Sequence, residues 1–174
     1  MAPRPDVRDA IESVHVAGVV PDAAVRTAGP LTVLVGSHRE AMTHVSREEK
    51  ADLLETVAVA RPAVIVDAGP MTNGESVLGP TTRAVLVVDA SPIGIVRAAR
   101  LAAAWTGPQP SLVLNRVPPR RPDDAISAAR RWTGLEPTAV ITEQPRIAVA
   151  ARSGALPPRS LRTALVAVAA EVMS

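Results

Sequence analysis

The chain has 174 residues, 47% hydrophobic and 21% charged, with a formal net charge of +2 and no cysteine. That balance excludes intrinsic disorder, and the missing thiols exclude a disulfide scaffold, a thiolate nucleophile and a cysteine-ligated metal. The sequence pI of about 10.3 reflects arginine usage, because Lys50 is the single lysine and Tyr and Cys are absent, so it does not by itself imply a nucleic-acid binder.

The elements follow in chain order. Val7, Ile11 and Val14 stand at helical spacing in Asp6 to Val16, which predicts a short helix. Pro21, Gly29 and Pro30 punctuate a loop, and Leu31 to Val35 reads as a strand ending at Gly36. Ser46-Arg-Glu-Glu49 is a capping-box pattern that opens a helix to about Ala60, with Leu53, Leu54 and Val57 on one face. Pro62 stops it, and Ala63 to Val66 is an aliphatic run expected of a strand buried on both faces. Met71 to Thr82 is Gly-rich and polar and reads as a loop with a short helix. Ala84 to Val88 is a third strand, and Ser91-Pro92 supplies an N-cap and first residue for a helix running to about Trp105. Leu112 to Leu114 and Thr138 to Ile141 are the remaining strands, separated by a helix over Asp123 to Trp132. Two helices, Arg146 to Arg152 and Ser160 to Met173, close the chain.

Short aliphatic strands alternating with helices predict an α/β fold. The expected form is a three-layer parallel sheet of about five strands with helices on both faces, in one domain over 1–174. Trp105 and Trp132 are the only aromatic residues, so the core is built from Val, Leu, Ile and Ala, which disfavours base-stacking RNA modules. The N-terminus has no apolar signal core, and Leu161 to Val172 carries Arg162 and Glu171 and is too short to span a bilayer. The expected location is the cytoplasm.

In such folds the polar residues just past the strand C-termini face the ligand crevice. Here they are Gly36/Ser37, Asp67, Asp89/Ser91, Asn115/Arg116 and Thr142/Glu143. Asp67 follows an aliphatic strand and precedes Gly and Pro, the layout of a carboxylate that orients water on nucleotide-bound Mg²⁺; capping of the following turn is the commoner use of such an Asp. Asn115 carries both a donor and an acceptor, which suits a purine edge or simply a strand-end turn. His15, His38 and His44 share no metal-ligand spacing, and no nucleophile-and-base pattern is present.

The run Val64-Ile-Val-Asp-Ala-Gly-Pro70 resembles the Walker-B and switch II segment of ParA/MinD-type, deviant Walker A, P-loop ATPases. Ala84 to Pro92 with Val96 to Leu101, Leu112 to Arg116, and Thr142 to Gly154 resemble that family's next strand and helix, its adenine-side strand, and its last nucleotide-pocket loop with a short helix. The order agrees over roughly residues 5–172, and the Arg-rich character and Asp-Ala-Gly-Pro turn look most like the actinobacterial CpaE/septum-site-determining branch. The resemblance implies ATP with Mg²⁺ as ligand. It assigns Asp67, Gly69, Asn115, Arg116 and Pro145 to the nucleotide pocket, Asp67 on the metal through water. It implies a role in septum placement, chromosome partitioning or secretion and pilus machinery.

The family's phosphate loop has no counterpart, since no G-K-[ST] occurs in the chain and Lys50 has no glycine loop before it. That loop supplies the N–H nest, the phosphate lysine and the Mg²⁺-ligating hydroxyl, so the chain alone is expected not to hydrolyse ATP and to bind it weakly at best. It is then either the C-terminal part of a longer or split ATPase, or a degenerate relative acting as a non-catalytic interaction module. Either way a protein partner or a homodimer is expected. A third reading is a small-molecule enzyme on another doubly wound fold, using the carboxylates Asp67 and Asp89.

Charge is unevenly placed. Residues 1–87 hold 8 basic and 11 acidic side chains, and residues 88–174 hold 11 and 6. The resemblance makes non-specific DNA binding one expectation for Arg120, Arg121, Arg130 and Arg131, against a plain solvated surface. Leu161 to Ser174 resembles a closing helix more than the basic membrane helix of MinD relatives.

Overall fold

The computed structural model describes residues 6–28, 31–34, 46–70 and 83–173. Contacts divide the chain into two compact units: residues 1–69 with 77–80, and residues 70–76 with 81–174.

The first unit is built on two helices and a hairpin. Helix α1 (Val7–Ala17) is capped by the Asp6 carboxylate and ends at Gly18 in the left-handed conformation. A single 3-10 turn, Asp22–Ala24, leads into strand β1 (Val25–Ala28), which pairs antiparallel with β2 (Leu31–Leu34). Helix α2 (Arg47–Ala60) carries the anticipated capping box: the Ser46 hydroxyl accepts from the Glu49 N–H, and the Glu49 carboxylate accepts from the Ser46 N–H. Ala10, Ile11 and Val14 of α1 meet Ala24 and Leu53 in a small core.

Two expectations fail in this unit. Residues 21–28 form a turn and a strand rather than a loop, so the Leu31 run closes a hairpin instead of joining a parallel sheet. Ala63 to Val66 is neither a strand nor buried: Ile65 is 96% exposed. An aliphatic run becomes a strand only where a neighbour completes its ladder, and no described strand pairs with this one. Gly29, Pro30, Val35, Gly36, Ser37, His38, His44 and Met71 to Thr82 lie outside the described residues.

The second unit matches the sequence reading closely. Strands β3 (Val85–Asp89), β4 (Ser111–Val117) and β5 (Pro137–Thr142) form a parallel sheet in that order. Among the described residues the parallel sheet therefore has three strands rather than about five, because the first two aliphatic runs are not part of it. Helix α3 (Pro92–Ala103) joins β3 to β4, and α4 (Pro122–Thr133) joins β4 to β5. Helices α5 (Pro145–Ser153) and α6 (Arg159–Met173) follow, and α6 lies along β5 and β4.

The core forms where α3 and α4 meet the sheet. Val88, Leu112 and Leu114 pack against Ala98, Ala125 and Ala129. The small alanines let the helices approach closely, which is how a chain without Phe or Tyr reaches interior density. Val113 points to the opposite face by strand alternation and is buried as well, so the central strand is covered on both sides.

Candidate functional site

Four polar side chains converge at the C-terminal ends of the three parallel strands. The register places Asp89 opposite Asn115, and the ladder continues past it, with the Ala90 N–H donating to the Asn115 carbonyl at 2.9 Å. Between β4 and β5 the register shifts after Leu114, which faces Val140, and resumes at Val117, which faces Thr142. β4 thus carries one extra residue, a bulge that re-aims the side chains there.

Arg116 sits in that bulge with φ 58°, the left-handed region that a residue with a Cβ seldom occupies. Two features hold it. The Asn115 side-chain oxygen accepts from the Arg116 N–H at 2.9 Å. The guanidinium then divides between two carboxylates, with Nη1 3.4 Å from Asp89 and Nη2 3.3 Å from Glu143. One cation thereby ties the ends of all three strands together.

Asp89 is also tied to the next helix. Its carboxylate accepts from the Ser91 N–H at 2.9 Å, and the Ser91 hydroxyl caps α3 by accepting from the Gly94 N–H at 3.2 Å. The Ser91 hydroxyl and N–H, and secondarily the Arg116 charge, hold the Asp89 carboxyl below its ordinary value of 3.8. Gly94 belongs to the same arrangement: a Cβ there would lie 2.1 Å from the Asp89 carbonyl oxygen. Sequence alone gave no signal for this, since Gly94 stands inside a helical pattern; only the closeness of α3 to β3 explains it.

The predicted pocket residues divide between the two units. Asn115, Arg116 and Pro145 belong to the second, at the strand ends and the first residue of α5. Gln144 precedes Pro145 and hydrogen-bonds Ser160 at 3.2 Å, joining the start of α5 to α6. Asp67 and Gly69 belong to the first unit, where the Asp67 carboxylate accepts from the Gly69 N–H at 2.9 Å and Gly69 has φ 68°. That is the turn-capping geometry, made with a carboxylate that remains exposed.

The rim formed by Asp89, Arg116 and Glu143 does not fit a polyphosphate. Its cation is shared between two carboxylates, leaving a local excess of one negative charge. An uncharged purine edge meets no such repulsion, and the Asn115 amide nitrogen is the donor it would find. Among the described residues no group of three or more His, Cys, Asp or Glu is placed to hold a metal ion.

The four arginines expected for DNA lie at the two ends of α4. Arg120 and Arg121 precede α4 while Arg130 and Arg131 lie in its last turn, so Arg121 and Arg130 are about 14 Å apart along the axis at about 1.5 Å per residue. Arg121 is 3.8 Å from Asp124, and Arg130 pairs with Glu136. Among the described residues no helix is long and apolar enough to cross a membrane.

A chain of the solved MinC:MinD cell division protein complex from Aquifex aeolicus is similar to this one, with a TM-score of 0.72. The likeness covers 97% of this chain and 72% of that chain at 17% sequence identity. It shows a shared α/β fold. No family model matches the chain, and no curated protein matches it in sequence.

Proposed function

We propose that this protein is a MinD-like positioning factor of cell division that works through protein contacts rather than phosphoryl transfer. The observation that carries the reading is the fold likeness to a chain of the MinC:MinD cell division protein complex over 97% of this chain. The sequence motifs that resemble the septum-site-determining branch direct it to division rather than chromosome partitioning.

Two features support the non-catalytic part. The chain has no G-K-[ST], so it lacks the N–H nest and lysine that stabilise charge in phosphoryl transfer. The one arginine on the strand-end rim is committed to Asp89 and Glu143. On this reading the rim fixes the three strand ends in place, and Asn115 presents a purine-sized contact at most. The partner is a second protein, as it is for the MinD fold in the complex it resembles.

Deleting the gene in its native host and imaging the septa tests the proposal. Septa at displaced positions, restored by the full chain, are expected. Septa placed normally in the deletion strain contradict it.

A further inference from the structure

The second unit has a groove of about 580 Å³ between α3 and α4. Its walls are mostly apolar, with Pro92, Ile95 and Val96 on one side and Ala125, Ala128 and Trp132 on the other. Trp132 is 60% exposed, in a chain with one other aromatic residue. Exposed tryptophan beside aliphatic surface is the composition of an interface anchor. Arg120, Arg121 and Asp124 line the same groove. Arg121 faces Asp124 at 3.8 Å, while Arg120 has no ion pair among the described residues, so that end is net basic.

The first unit carries the complement. On α2, Glu48, Asp52, Glu55 and Val59 follow one another at i, i+4, i+7 and i+11, which places them on one face. The buried Leu53 lies on the other face, toward α1. The three carboxylates are exposed and make no ion pair among the described residues, and Val59 is 91% exposed. By sequence the first unit holds seven basic and ten acidic side chains and the second twelve and seven, so the two units are oppositely charged.

We infer that the α3–α4 groove of one copy receives the acidic face of α2 from a second copy. The lengths agree. From Trp132 back to Arg121 is about 16 Å along the axis of α4, and from Val59 back to Glu48 is about 16 Å along α2, at about 1.5 Å per residue. With Val59 against Trp132, Glu48 reaches Arg121. Val59 supplies apolar burial, and the carboxylates fix direction and exclude the reversed pose. Two different surfaces meet, so the contact is heterologous: two copies can close it reciprocally, or copies can add head to tail. This association stands independently of the division role, which the septum assay addresses separately.

Sedimentation velocity on the full chain, over a range of protein and salt concentrations, tests it. The wild-type chain is expected to self-associate and to weaken as salt rises. Arg120→Glu with Arg121→Glu, and separately Glu48→Arg with Asp52→Arg and Glu55→Arg, are each expected to lower the association constant about tenfold or more, the scale of about 1.4 kcal/mol. An equimolar mixture of the two variants is expected to associate again, because each reversed surface then meets its opposite. That rescue also shows that both variants are folded. A wild-type chain that stays monomeric throughout, a variant that associates like wild type, or a mixture that stays monomeric overturns the inference.

Discussion

A left-handed arginine costs about 1–2 kcal/mol relative to ordinary backbone. Arg116 is held there by contacts that are individually small: both ion pairs join exposed side chains, and exposed pairs contribute about 0–1 kcal/mol each. Two such pairs and the Asn115 hydrogen bond together about offset the backbone cost, so the rim keeps its geometry without a large net gain. Asp89 is the member with a pH signature. Its carboxyl is held below 3.8, chiefly by Ser91. Its stabilising effect is therefore complete above the ordinary carboxylate range and is lost as pH falls through the lowered value. Urea midpoints measured from pH 7 down to pH 2.5 should show Asp89→Asn less stable than wild type at neutral pH, with the two converging in acid. Parallel curves across the range contradict the assigned role. The residues of this rim were readable in the sequence because a polar residue after an aliphatic run is local information. Their ion pairing was not, since it depends on strand order and on a bulge that no local pattern announces.

Element packing decides what local pattern leaves open. Among the described residues, the three parallel strands and the six α-helices are legible from aliphatic runs, helix caps and Pro or Gly stops. The aliphatic run Ala63 to Val66 reads the same way and yet forms no strand, because a strand is defined by its neighbour and none of the described strands pairs with it. The Leu31 run reads as extended and is, but its antiparallel partner Val25–Ala28 lies among residues that look like a loop. Gly94 belongs at this scale, since it sets how closely α3 approaches the end of β3. Gly94→Ala gains helix propensity, about 1 kcal/mol in an unconstrained helix. Against that, the new methyl lies 2.1 Å from the Asp89 carbonyl oxygen, a backbone atom that cannot swing aside. Overpacking costs about 1–3 kcal/mol, so the net expectation is a loss of stability, read as a lower urea midpoint. A raised midpoint would show that α3 shifts freely.

At the scale of the whole molecule, two oppositely charged units share one chain. Neither the modest net charge nor the high pI reveals this, because the signs cancel when summed over the chain. On the proposed function, the absent G-K-[ST] and the committed Arg116 leave phosphoryl transfer without electrostatic support. The measurement that bears on this most directly is phosphate release by the purified chain at millimolar Mg²⁺-ATP. Release indistinguishable from buffer alone, unchanged by Asp67→Asn, is expected. Sustained turnover that Asp67→Asn abolishes would contradict it.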